Sequence, residues 1–150
     1  MTTTTGLGVP SLVRPDPGAK RVLVVDDDLS QRMMLMRILR KAGYDSGGAT
    51  STEEARSQLE STAFGLVVTD LRMFAEDGLE LVRHIAEHHP DTHSTVVSGF
   101  ASADDVDRVS RAGAFELMLK PIDSELFLDM VERAFDHRKE SAAQRRHRSG

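Results

Sequence analysis

The sequence predicts an α/β protein built on a doubly wound, five-stranded parallel sheet with five helices. Three observations predict it. Apolar strand-like runs and helix-like segments alternate five times along the chain, the order that right-handed βαβ crossovers produce. The run Val22–Val25 is apolar without alternation, the pattern of a strand covered on both faces. Four of the five predicted strands end in polar groups, at Asp26/Asp27, Asp70, Ser98 and Lys120. Parallel strands share a direction, so these four ends fall on one edge of the sheet, where open α/β folds place their ligands.

The elements follow in order. Residues 1–19 carry four threonines, three prolines and few apolar groups, too little to offset the entropy of ordering, and are expected to form a disordered leader. The first strand runs from Arg21 into Asp26-Asp-Asp28. Ser30 then caps a helix to about Ala42, with Met33, Met36 and Leu39 as its core stripe and Gly43 as its stop. Tyr44–Thr50 is a weak, Gly-rich strand suited to an edge, and Ser51-Thr-Glu-Glu54 is a capping box for a helix to about Ser61. Leu66–Asp70 repeats the opening design, an apolar strand ending in a carboxylate. After a loop, Gly78 opens a helix marked by Leu79, Val82, Ile85 and Ala86, which ends before Pro90. Ser94–Ser98 is the fourth strand, and Ser102 precedes a helix marked by Ala103, Val106 and Val109 and stopped at Gly113. Phe115–Leu119 is the fifth strand. It leads through Lys120-Pro121 to a helix capped by Asp123 or Ser124 and carrying Phe127, Met130, Val131 and Ala134.

Composition narrows the function. The net charge of −5 is uneven, because Arg138–Gly150 is net basic while the body is acidic, which argues against nucleic acid as the main partner. The absence of cysteine excludes disulfides, thiol chemistry and Cys-based zinc sites. No apolar run approaches the roughly 20 residues that span a bilayer, so no membrane association and a cytoplasmic location are expected. His84, His88, His89 and His93 are expected to be solvated surface residues rather than metal ligands.

The converging strand ends combine three hard carboxylates, one hydroxyl and one ammonium, a set suited to an anionic phosphoryl group held beside a cation such as Mg²⁺. With Val-Val-Asp-Asp after strand one, Val-Thr-Asp-Leu-Arg-Met and Glu-Asp-Gly-Leu-Glu-Leu around strand three, Ser-Gly after strand four and Leu-Lys-Pro after strand five, the chain resembles the receiver domain of two-component response regulators over residues 20–138. Residues 139–150 are left as a basic flexible tail. The resemblance implies a flavodoxin-like sheet of order 2-1-3-4-5, with Asp70 as phosphoacceptor. It implies that Asp27 ligates Mg²⁺ directly and Asp26 through water, that the Arg72 backbone carbonyl completes the metal shell with Asp70, and that Ser98 and Lys120 bind phosphoryl oxygens. Lys120-Pro121 is expected to be cis, against about 5–6% of X–Pro bonds generally.

The implied function is a single-domain response regulator in a phosphorelay. A sensor histidine kinase or phosphotransfer protein donates the phosphoryl group, a target protein reads the changed surface, and the chain is no enzyme beyond slow self-dephosphorylation. Two departures stand out. Phe74 replaces the Pro usual after the methionine of the Asp70 loop, and Leu117 stands where the family commonly carries an inward-flipping aromatic, which Phe115 is not assumed to replace. Arg72 and Phe100, each two residues past Asp70 or Ser98, are expected to flank the water approach and set the phosphoryl lifetime. Two alternatives remain open: a haloacid-dehalogenase-like phosphatase with Asp26 as nucleophile and Asp28 as acid/base, and a receiver cut from a longer DNA-binding regulator.

Overall fold

The structure, a computed structural model, describes the backbone of residues 18–73 and 76–149 and the side chains of residues 20–73 and 76–137. In order it comprises β1 (Gly18–Val25), α1 (Leu29–Lys41), β2 (Asp45–Ala49), α2 (Thr52–Ser61), β3 (Phe64–Asp70), β4 (Arg72–Met73), β5 (Glu76–Asp77), α3 (Gly78–His88), β6 (His93–Ser98), α4 (Ala103–Ala112), β7 (Glu116–Leu119) and α5 (Ser124–Ser149). Five strands form one sheet of order β2-β1-β3-β6-β7, parallel throughout. Leaving aside the two-residue antiparallel pair β4-β5, this is the expected order 2-1-3-4-5, and the Gly-rich strand is at the edge. Among the described residues no helix is long and apolar enough to cross a membrane.

Neighbouring residues of the central strands feed opposite cores. Val22, Val24, Leu66 and Val68 pack with Leu35 and Leu39 of α1 and with Phe127, Met130 and Val131 of α5. Leu23, Val25 and Val67 pack with Ala55 and Leu59 of α2 and Leu81 and Ile85 of α3. A third cluster joins Leu71, Leu79, Val82, Val96 and Val109 beneath α3 and α4. Every residue of β3 is buried, which is why its apolar run shows no alternation.

Several local expectations are corrected. Asp28, not Ser30, caps α1, its carboxylate accepting from Gln31 N at 3.0 Å. Met33 is 48% exposed while Leu35 is buried. In α3, Ala86 is exposed and Leu81 is buried. In α4, Val106 is 49% exposed and Asp105 is buried. The leader at residues 1–17 lies outside the described residues, as does Phe74, but Gly18 and Ala19 already belong to β1. The segment 139–150, read as a flexible tail, continues α5 as far as Ser149. Its Glu, Ala, Gln and Arg are helix formers, and no Gly or Pro interrupts them before Gly150.

Candidate functional site

Strand register assembles the site. Val25 lies opposite Thr69, so Asp26, the next residue out of β1, meets the end of β3 at Asp70. Asp70 lies opposite Val97, one residue before Ser98, and Ser98 lies opposite Leu119, one residue before Lys120. Four groups separated by up to 94 positions in sequence are therefore brought to one edge by backbone pairing alone. The Lys120-Pro121 peptide is cis, as expected.

Asp26, Asp27 and Asp70 each present a carboxylate oxygen, and the three oxygens lie within 4.8 Å of one another. Asp26 is 1% and Asp70 9% exposed. Lys120 Nζ stands 3.5 Å from Asp70 Oδ2 and 3.7 Å from Asp26 Oδ2. Asp26 is held firmly: its Oδ1 accepts from Asp28 N at 2.9 Å and its carbonyl accepts from Arg32 Nη1 at 2.8 Å. Among the described residues its Oδ2 is buried with no hydrogen-bond partner, the Lys120 ammonium standing 3.7 Å away. Burial raises the pKa of both Asp26 and Asp70; Lys120 opposes it in each, as does the Asp28 N–H at Asp26. An orphaned buried oxygen in an all-oxygen donor set fits a hard cation, and these three carboxylates could hold one.

Asp70 is fixed from behind as well. Gly78 packs so closely that a Cβ there would overlap the Asp70 carbonyl oxygen and lie 3.3 Å from Leu71 Cα. Gly78 N also donates to Leu71 O at 2.8 Å. The loop between them is tied on both sides: Glu76 accepts from the N–H and hydroxyl of Thr52 at the start of α2, and Asp77 caps α3 while pairing with Arg108 of α4.

Of the remaining predicted residues, Ser98 is buried at the site, but its hydroxyl donates to Phe100 O at 2.6 Å and not to Asp70. Phe100 is 72% exposed. Arg72 directs its guanidinium away from the acidic cluster, to Phe100 O at 3.2 Å and Asp105 Oδ2 at 2.8 Å. Leu117 is half-buried against the Leu71–Leu79–Val82–Val96–Val109 cluster. Phe115 packs on the other face of the sheet and stacks on His93, so it does not stand in for an aromatic at position 117. Asp28 caps α1, its Oδ1 accepting from Gln31 N. The histidines make no group of three with metal-ligand spacing among the described residues. Sequence reasoning missed Asp105, Arg32 and Thr52: Thr52 lies in the Ser51–Glu54 capping box, which points only to a helix start, and the capping-box spacing Ser102–Asp105 is the one signal that could have pointed to Asp105.

The response regulator receiver domain family matches residues 22–132. The chain is 32% identical over 123 residues to the transcriptional regulatory protein ZraR of Salmonella typhimurium, covering 82% of this chain and 28% of that protein. It is 33% identical over 119 residues to the DNA-binding transcriptional regulator NtrC of Escherichia coli, covering 79% and 25%. The chain thus spans about a quarter of the length of these curated relatives. Among solved structures it is similar to a response regulator receiver protein from Pseudomonas putida, at 37% identity and a TM-score of 0.72 over 81% of this chain and 99% of that one. Sheet order, the carboxylate–lysine edge and this match over residues 22–132 together establish that the chain belongs to the response regulator receiver domain family.

Proposed function

We propose that this receiver accepts a phosphoryl group on Asp70 from the phosphohistidine of a sensor kinase or phosphotransfer protein in the cytoplasm, and passes the signal on through a protein contact. The observation that carries the reading is the placement of Lys120 Nζ 3.5 Å from Asp70 and 3.7 Å from Asp26 at the mouth of a three-carboxylate cluster.

In the transfer, the P–N bond of the donor breaks as a bond forms from phosphorus to an Asp70 carboxylate oxygen, and the imidazole leaves with the electron pair. Lys120 attracts the transferring oxygens and aligns them. Asp26 and Asp27, with Asp70 and the Arg72 carbonyl, would hold Mg²⁺, which when bound supplies neutralisation of the charge spread over those oxygens. The backbone ties on Asp26 and the close Gly78 contact fix the nucleophile, so little reorganisation accompanies the step. The Ser98 hydroxyl must leave the Phe100 carbonyl to donate to the phosphoryl group, and that turn begins the conformational change. Chemistry stops at the aspartyl phosphate, apart from slow hydrolysis. The chain is a phosphoacceptor rather than an enzyme.

A second reading places an effector region in the same polypeptide, because the curated relatives are about three times as long as this chain and NtrC is named a DNA-binding regulator. The acceptor chemistry is the same in both. Incubation of the protein with Mg²⁺ and acetyl phosphate is expected to add one phosphoryl group, located at Asp70 by mass spectrometry. Chelation of the metal or Asp70→Asn should abolish it. An unmodified protein, or a label elsewhere, overturns the proposal.

A further inference from the structure

The Arg72 guanidinium sits at a junction outside the acidic cluster. Its Nη2 pairs with Asp105 Oδ2 at 2.8 Å and its Nη1 donates to Phe100 O at 3.2 Å. That same carbonyl takes the Ser98 hydroxyl at 2.6 Å. Asp105 is 4% exposed and is itself built into the start of α4: its Oδ2 accepts from Ser102 N at 3.0 Å, and its own N–H donates to Ser102 Oγ at 3.1 Å. Arg108 approaches the other carboxylate oxygen at 3.5 Å and also reaches Asp77 at 3.4 Å.

We infer that Arg72 and Asp105 form a latch that holds the Ser98 hydroxyl on the Phe100 carbonyl, and that a phosphoryl group on Asp70 opens it by drawing the Arg72 guanidinium onto itself. The inference rests on the assignment of Asp70 as phosphoacceptor. Two carriers of negative charge compete for one guanidinium. Asp105 offers a single charge, whereas a phosphoryl group two residues from Arg72 offers a charge of about −1.5 to −2 and three strong acceptor oxygens. The Arg72 side chain is 58% exposed, so it moves without disturbing the core.

The buried partner decides whether such a latch can open. A buried carboxylate stripped of its only cation is strongly destabilising. Here Asp105 keeps Arg108 and the Ser102 N–H after Arg72 departs, so no charge is stranded. The Phe100 carbonyl meanwhile loses the guanidinium that fixes its position, so the segment is free to carry it away from the Ser98 hydroxyl. Arg108 continues to link Asp77 of the α3 cap to α4, so the motion is confined to the segment between Ser98 and the first turn of α4.

Asp105→Asn tests this, because the amide oxygen still accepts from Ser102 N while the charge that holds Arg72 is gone. With saturating Mg²⁺ and acetyl phosphate, the variant should be phosphorylated at Asp70 about two- to fivefold faster than the parent protein, the range expected from a partly exposed ion pair. Its aspartyl phosphate should last at least as long, since Arg72 is free to face it. Arg72→Lys keeps one charge but lacks the guanidinium fork whose two terminal nitrogens separately reach Asp105 and Phe100 O, and should also phosphorylate faster. Because Arg72 is exposed, this variant keeps the test intact should Asp105→Asn fold poorly. The double variant Arg72→Ala/Asp105→Asn should match Arg72→Ala alone, as members of one interaction are non-additive. Additive effects, or variants phosphorylated at the parent rate, overturn the latch while leaving Asp70 as acceptor. A parent protein unlabelled at Asp70 overturns the acceptor assignment and the latch with it.

Discussion

Two carboxylate–cation groupings meet the β3 end and the residues just after it, one at Asp70 and one at Arg72, and they differ in what they lack. On one side, Asp26 and Asp70 share the ammonium of Lys120, one Asp26 oxygen has no hydrogen-bond partner among the described residues, and burial raises both pKa values. On the other side, Asp105 receives Arg72, Arg108 and the Ser102 N–H, and its pKa falls to about 2, chiefly through the Arg72 hydrogen bond and then that of Ser102. The Asp26, Asp70 and Asp105 carboxylates are all nearly inaccessible to water. The first is built with more negative charge than the Lys120 ammonium can balance, which is the condition for attracting a metal ion. The second is balanced and acts as structure until a stronger anion appears.

The largest test of this contrast removes the shared ammonium. Lys120→Ala should slow phosphorylation by acetyl phosphate about a hundred- to thousandfold, the loss typical of one preorganised donor at a charge-bearing transition state. A change of less than threefold in a rapid-quench assay would show that the lysine is only structural. Gly78→Ala comes next. The added methyl meets the Asp70 carbonyl, so the chain should lose about 1–3 kcal/mol by urea denaturation through overpacking, and the acceptor should become slower. Unchanged stability and rate would mean that the loop relaxes freely.

The smallest effect separates the two groupings by sign. A carboxylate whose folded pKa is raised above the ordinary 3.8 costs stability, and the cost grows as pH climbs from that ordinary value to the raised one. In metal-free buffer at neutral pH, Asp26→Asn should therefore stabilise the protein by about 1 kcal/mol. The gain should fade on acidification and shrink when Mg²⁺ is added. A carboxylate depressed to about 2 works in reverse. Its contribution is complete above the ordinary value and disappears as pH falls toward 2, so Asp105→Asn should lower the melting temperature at neutral pH and match the parent in strong acid. Melting curves of the two variants that shift in the same direction at neutral pH would erase the distinction.

How much of this was legible in the sequence divides along the same line. Asp26, Asp27, Asp70, Ser98 and Lys120 could be read because each follows an apolar run, and parallel pairing then determines where run ends meet. Asp28 could not be assigned, since three adjacent acids look alike until the backbone turns and aims one of them at Gln31 N. Met33 and Val106 were placed inward by helical spacing. In α4 the capping box and the Arg72 pair draw Asp105 inward, and Val106 faces water instead. The Arg72–Asp105 pair joins residues 33 positions apart, one in the short strand β4 and one in the first turn of α4, with no shared periodicity to announce it. The direction of the Ser98 hydroxyl is likewise a matter of which carbonyl the following loop presents.

The ties made by Glu76 and Asp77 have a practical outcome for protein engineering. The stretch from Asp70 to Gly78 is stitched to α2 through Thr52 and to α4 through Arg108, so it is not an exchangeable module. A chimera that imports this stretch into another scaffold would have to bring a hydroxyl residue opening the second helix and an arginine on the fourth, or the transplanted aspartate would arrive on an unmoored loop.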